Sequence, residues 1–194
     1  MKNIPLYLAH GAGAGHSNSF LNDLGNAISA KMNQPIIPVT FSYMREVEIT
    51  GKKRPPPPFK RLIPEFSDCI KNEVACVVAG KSMGGRVAAQ LSKEPMVKAV
   101  VCFGFPFYPA GKPEKHRLSF LENMEVPCLI IQGTRDQLGS YDWVKQQSLP
   151  ENVNIVWIEG ADHDFKVLKK YNKTATETIS NMADITQTWL NDIL

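Results

Sequence analysis

The sequence predicts an α/β domain: a mostly parallel sheet of about six strands with helices on both faces. Three observations carry this. Apolar runs recur along the whole chain, each nearly continuous, as strands buried on both faces require. Between them, apolar residues recur at helical spacing. Most runs stop at a glycine-rich turn, the usual punctuation between strand and helix. We expect residues 1–194 to form a single domain, since that length suits one sizeable core.

In chain order, residues 4–9 form the first expected strand, which breaks at His10-Gly11-Ala12-Gly13-Ala14-Gly15. A helix comes next, capped by Ser17 or Asn18, with Phe20, Leu21, Leu24, Ala27 and Ile28 on one face. The glycine loop fails the dinucleotide-binding pattern, because the third glycine would fall at His16 or Asn18. Residues 34–41 read as the next strand, and their prolines make it an edge or an irregular one. Residues 42–58 read as a long irregular segment ending in Pro55, Pro56, Pro57 and Pro58, a stiff extended strip. That strip is a spacer, or a wall or protein-docking surface beside a site. A helix is expected over residues 59–72, with Leu62, Ile63, Phe66 and Ile70 on one face.

Residues 74–79 form a strand that stops at Gly80-Lys81-Ser82-Met83-Gly84-Gly85-Arg86, and a helix begins at once. Gly80-x-Ser82-x-Gly84 between strand and helix fits a nucleophile elbow, a turn that holds a serine hydroxyl above the sheet edge. Gly80-Lys81-Ser82 also ends like a phosphate-binding loop, but the required first glycine is Ala75, inside the strand. A glycine-rich turn with an idle serine is the remaining competitor.

Residues 97–103 form another buried strand, succeeded by the aromatic, proline-rich loop 104–116, which lines an acyl pocket or covers the core. A short helix over 117–123, a strand over 126–132, a helix over 141–147 and a last strand over 153–158 complete the alternation. The final helix opens at Thr174-x-x-Glu177, a capping box.

The residues just past the strand ends are informative, because active sites of parallel sheets lie at that edge. The glycine loop stands after the first strand, Ser82 after the middle one, Asp136 after the next-to-last and His163 after the last. Ser, Asp, His is the chain order of an α/β-hydrolase triad. A serine hydroxyl needs a base near neutrality, and the histidine needs a carboxylate to fix its tautomer. We therefore expect Ser82 as nucleophile, His163 as base and Asp136 as its partner. The backbone N–H groups of Met83 and Ala12 are the expected oxyanion hole. Asp142 is the alternative acid. Asp162, His163 and Asp164 suggest a metal site at first sight, but no second ligand cluster accompanies them.

These segments together resemble one α/β-hydrolase family. They are His10 to Gly15, Gly80 to Arg86, the Gly104-Phe105-Pro106-Phe107 loop with Gly111-Lys112-Pro113, Gln132-Gly133-Thr134-Arg135-Asp136, and Asp162-His163. The family includes the third subunit of the NSL chromatin complex, testis-expressed protein thirty and small bacterial members, and is related to the dienelactone hydrolases. The resemblance implies an α/β-hydrolase fold with the triad Ser82, Asp136 and His163. Dienelactone hydrolases proper carry a cysteine nucleophile where this chain has Ser82.

Composition narrows function further. Hydrophobic residues make up 43% and charged residues 21%, and the net charge of +3 is too small to argue for nucleic acid. The N-terminal apolar run is too short for a signal peptide, so cytoplasmic residence is expected, with no membrane association. Four cysteines, Cys69, Cys76, Cys102 and Cys128, lack metal-ligand spacing and are expected to fill the core in reduced form. The expected function is a cofactor-free, metal-free serine hydrolase with a minimal cap, acting on small-molecule carboxylic esters or thioesters. A non-catalytic interaction module using the proline strip, or a small peptidase, is the alternative.

Overall fold

A computed structural model describes residues 4–194. Six strands form one sheet: β1 (Leu6–Ala9), β2 (Ile36–Val39), β3 (Cys76–Lys81), β4 (Val97–Phe103), β5 (Cys128–Gly133) and β6 (Val153–Ile158). Every pairing is parallel, and the strand order is β2-β1-β3-β4-β5-β6. The chain runs outward from β1 to the edge strand β2, then crosses back to β3 on the other side of β1. The order of connection therefore reverses between β1 and β3, the crevice where open α/β sheets take their ligands.

Helices cover both faces. Leu8, Val77, Ala79, Val101 and Ile131 pack with α1 (Ser19–Met32) and α6 (Ala175–Ile193) through Leu21, Leu24, Ile28, Met182 and Leu190. Tyr7, Val78, Val100, Cys102 and Ile130 face the other way. They pack with α2 (Ser42–Thr50), α3 (Leu62–Ile70), α4 (Met83–Gln90) and α5 (Tyr141–Val144), through residues such as Met44, Phe66, Val87 and Val144. Neighbouring strand residues point to opposite faces, so each run had to be apolar throughout.

Several expectations change. Residues 42–50 form the helix α2 rather than irregular chain. Its N-cap is Phe41, whose side chain makes no cap; the first helical N–H is met by Glu65 of α3, which accepts from Ser42 N at 2.7 Å and also from the Ser42 hydroxyl at 2.9 Å. A cap drawn from 23 residues away leaves no local signal. β3 begins at Cys76, and Val74 lies outside it, 93% exposed. The helix expected over 59–72 is a 3₁₀ turn, Phe59–Arg61, leading into α3. The short helix expected over 117–123 is a 3₁₀ turn, Leu118–Phe120. Cys69 is exposed on α3, so only Cys76, Cys102 and Cys128 fill the core; all four are free. Phe105, Phe107 and Tyr108 are buried in the core on the α4 side, which decides for the core-covering role of their loop.

Candidate active site

The elbow is built by close approach of backbone. Ser82 has φ 52° and ψ −111°, a conformation L-residues rarely adopt. Its N–H is held by the Phe103 carbonyl at 3.0 Å, and its own carbonyl accepts from Arg86 N at 3.1 Å. A Cβ at Gly84 would lie 2.6 Å from the carbonyl oxygens of both Ala9 and His10, so the start of α4 sits directly on the end of β1. One at Gly80 would enter the backbone of Gly84 and Gly85. Only glycine fits at either place. Gly80 and Lys81 belong to β3, so no loop exists there to cradle a phosphate.

This geometry sets the Ser82 hydroxyl 2.9 Å from Nε2 of His163. Nδ1 of His163 lies 2.7 Å from Oδ2 of Asp136. Asp136 is fully buried, while the His163 side chain is 21% exposed. The three sequence-expected residues thus form one hydrogen-bonded chain across three strand ends. In the arrangement that suits a buried carboxylate, His163 donates from Nδ1 and leaves Nε2 to accept from the serine.

The carboxylate is held from two further sides. Its Oδ1 accepts from Leu138 N at 2.8 Å, and its Oδ2 accepts from Gln132 Nε2 at 2.8 Å. Gln132 is fully buried on β5, a polar residue inside an apolar strand. That anomaly is visible in the sequence, where it marks no more than the end of an apolar run. Arg135 does not neutralise Asp136; it points to the Gly160 carbonyl at 3.2 Å. Asp142, the alternative acid, is exposed on α5. Asp162 folds its own loop, accepting from the N–H groups of Asp164 and Lys166 at 2.9 Å. Among the described residues no group of three His, Cys, Asp or Glu side chains is placed to hold a metal.

The glycine loop is fixed from beneath. His10 is fully buried; Nε2 accepts from Phe41 N at 3.1 Å, so Nδ1 donates to the Gly11 carbonyl at 2.6 Å. Burial holds its pKa below the ordinary value, which suits this neutral tautomer. Tyr43, on the unforeseen α2, donates to the Ala12 carbonyl at 3.0 Å. With their carbonyls turned to these partners, Gly11 and Ala12 border the cavity that holds Ser82. Met83 begins α4 immediately after the serine.

That cavity measures about 870 Å³ and opens on the α1–α6 side. Its walls are the loop from Gly11 into α1, the His163 to Val167 segment, and the first turns of α6. Residues 42–58, one candidate wall beside the site, and the loop after Gly104, one candidate acyl-pocket lining, do not line it. Lys81 does, although in the sequence it stands only as a spacer within the elbow.

A family profile described as alpha/beta hydrolase domain matches residues 2–191, nearly the whole chain. The chain belongs to this alpha/beta hydrolase family. Solved structures agree on the fold. The esterase domain of a Rhodothermus marinus protein is 14% identical with a TM-score of 0.64, over 97% of this chain and 88% of that one. An alpha-beta serine hydrolase homologue from Coxiella burnetii is 17% identical with a TM-score of 0.62, over 97% and 88%. Est1E from Butyrivibrio proteoclasticus is 15% identical with a TM-score of 0.61, over 96% and 91%. At such identities the likeness is one of fold. No curated protein sequence matches the chain. Among the described residues of this alpha/beta hydrolase, no helix is long and apolar enough to cross a membrane.

Proposed function

We propose that this alpha/beta hydrolase is a serine hydrolase acting by acyl transfer on small carboxylic esters or thioesters. The observation that carries the proposal is the chain of 2.9 Å and 2.7 Å contacts joining Ser82, His163 and Asp136, set in a strained turn beside a cavity. Ser82 Oγ attacks the carbonyl carbon while its proton passes to His163 Nε2. Asp136 stabilises the imidazolium. The N–H groups of Met83 and Ala12 receive the oxyanion; losing one such donor costs about 10²–10³ in rate. The bond to the leaving alcohol or thiol breaks as His163 returns the proton to it. Water then attacks the acyl-serine, with His163 again taking a proton and handing it back to Ser82.

The proposal takes residues 1–194 as one domain, in keeping with the single sheet. It also retains cytoplasmic residence, supported by four free cysteines. Kinship with the NSL-subunit family is kept on the strength of the glycine loop, the elbow and the Asp136 and His163 segments. A protein contact through the proline loop over residues 55–58 is a subsidiary proposal, supported by the exposure of Pro55 and Pro58.

The test is reaction with a fluorophosphonate probe and hydrolysis of short p-nitrophenyl esters. Ser82→Ala should abolish both while leaving the melting temperature nearly unchanged. A folded wild-type protein inert to probe and esters alike would overturn the reading and return the non-catalytic alternative.

A further inference from the structure

Among the described residues, Lys81 is the one strongly buried cation at the cavity floor, and acyl transfer by Ser82 and His163 does not use its charge. It precedes Ser82 and is only 9% exposed. Its stem runs beneath the glycine loop, with Cγ 3.8 Å from where a Gly11 Cβ would lie. Its ammonium donates to the His163 carbonyl at 2.7 Å and lies 5.6 Å from the centre of the Phe165 ring. One acceptor meets one of three N–H donors. Among the described residues no carboxylate forms an ion pair with it. Asp136, Asp162 and Asp164 act on it only from longer range, and Asp136 is committed to His163. Burial lowers its pKa to about 8, which keeps it charged at neutral pH.

An ammonium out of water with one neutral acceptor is under-compensated. The rest of the cavity does not correct this. Lys166 on its wall is paired with Asp164 at 3.7 Å, and Lys173 and Asp23 are exposed at the rim. Asn18 and Ser19 bring the N-terminal end of α1 to the same cavity, and the first turn of that helix carries no acidic residue. Asn18 caps one of its donors by accepting from Phe20 N at 3.1 Å, and the end of the helix still favours negative charge. Phe165 beside the ammonium, Phe20 stacked on its ring, and Ile179 give the cavity an apolar wall.

We propose that the substrate acyl group carries a carboxylate, which Lys81 receives on the cavity floor while the acyl chain lies along the apolar wall. This rests on the hydrolase reading and narrows its substrate class. Lys81 is then the specificity-determining residue, and the missing counter-ion arrives with the substrate.

The experiment compares kcat/KM for the p-nitrophenyl half-ester of adipic acid with that for p-nitrophenyl hexanoate, equal in chain length but neutral. Wild type should favour the half-ester by about tenfold or more, the scale of one charged hydrogen bond. In Lys81→Met, checked for folding by its melting curve, that ratio should fall to about one or below, whatever happens to the overall rate. A wild-type ratio near or below one overturns the proposal without needing the variant. Equal loss on both esters in Lys81→Met also overturns it, leaving the lysine as a positioning residue for His163. Hydrolysis of hexanoate without preference leaves the hydrolase reading standing, whereas inertness to both esters and to the fluorophosphonate overturns both.

Discussion

Lys81 sets stability against function at the scale of one side chain. Its folded pKa of about 8 lies below the ordinary 10.5, because burial disfavours the charged form. Between these values the unfolded chain binds the extra proton, so this group makes the protein more stable as pH rises through that window. Below about 8 the full cost of the buried charge is present. Lys81→Met should therefore melt higher than wild type at neutral pH, with the gap closing as pH rises from 8 towards 10.5. Parallel thermal melts across that range check it; a gap that widens would mean that the contact with the His163 carbonyl outweighs the desolvation. Gln132 shows the complementary case. Its Nε2 is well met, since Asp136 accepts from it at 2.8 Å and the Phe105 and Gly139 carbonyls lie at 3.2 and 3.3 Å, while its Oε1 is buried without a partner and carries the cost of holding the carboxylate.

Among the elements, α2 carries the weakest local signal. The helices α1 and α6 announce themselves by caps within their own sequence: Asn18 accepts from Phe20 N, and Thr174 and Glu177 form the reciprocal box. α2 has only its C-terminal sign, Gly51 at φ 68°, while its N-terminal cap comes from Glu65 of α3. Glu65→Ala should cost about 0.5–2 kcal/mol in urea denaturation, the range for losing a helix cap. It should also accelerate amide exchange selectively over Ser42–Thr50. Unchanged exchange there would show that packing of Tyr43 and Met44 alone holds the helix. The consequence reaches the site, because Tyr43 on this helix fixes the Ala12 carbonyl.

For the molecule as a whole, the two-faced sheet decides which groups meet solvent. Cys76, Cys102 and Cys128 lie on strands covered by helices, whereas Cys69 sits on the outer side of α3. The neighbouring Cys128 thiol and then burial push the Cys102 thiol well above its ordinary range, and burial pushes that of Cys76 up to about 12. N-ethylmaleimide should add once to the native protein, at Cys69, and at all four thiols in denaturant, as intact mass reads directly. The native reaction should be slow, since partial burial also raises the Cys69 thiol. Rapid modification of a second thiol in the native state would mean that one face of the sheet opens. The same topology places Ser82, Asp136, His163 and the glycine loop along one sheet edge, with the serine at the reversal between β1 and β3.

By itself the sequence determined the parallel α/β alternation, the elbow, and the candidate residues Ser82, Asp136 and His163. Each depends on local signals: continuous apolar runs, a glycine two positions either side of a serine, and acidic and basic residues just past strand ends. Only the tertiary structure decided what rests on contacts between distant segments. It made α2 a helix through a cap from α3, turned the aromatic loop inward, and moved the cavity to the α1–α6 side. It also converted Lys81 from a spacer in a motif into a buried cation facing that cavity. The physical reason is common to all four. Burial and hydrogen-bond satisfaction are properties of a residue's neighbours in space, and for these residues the neighbours come from elsewhere in the chain.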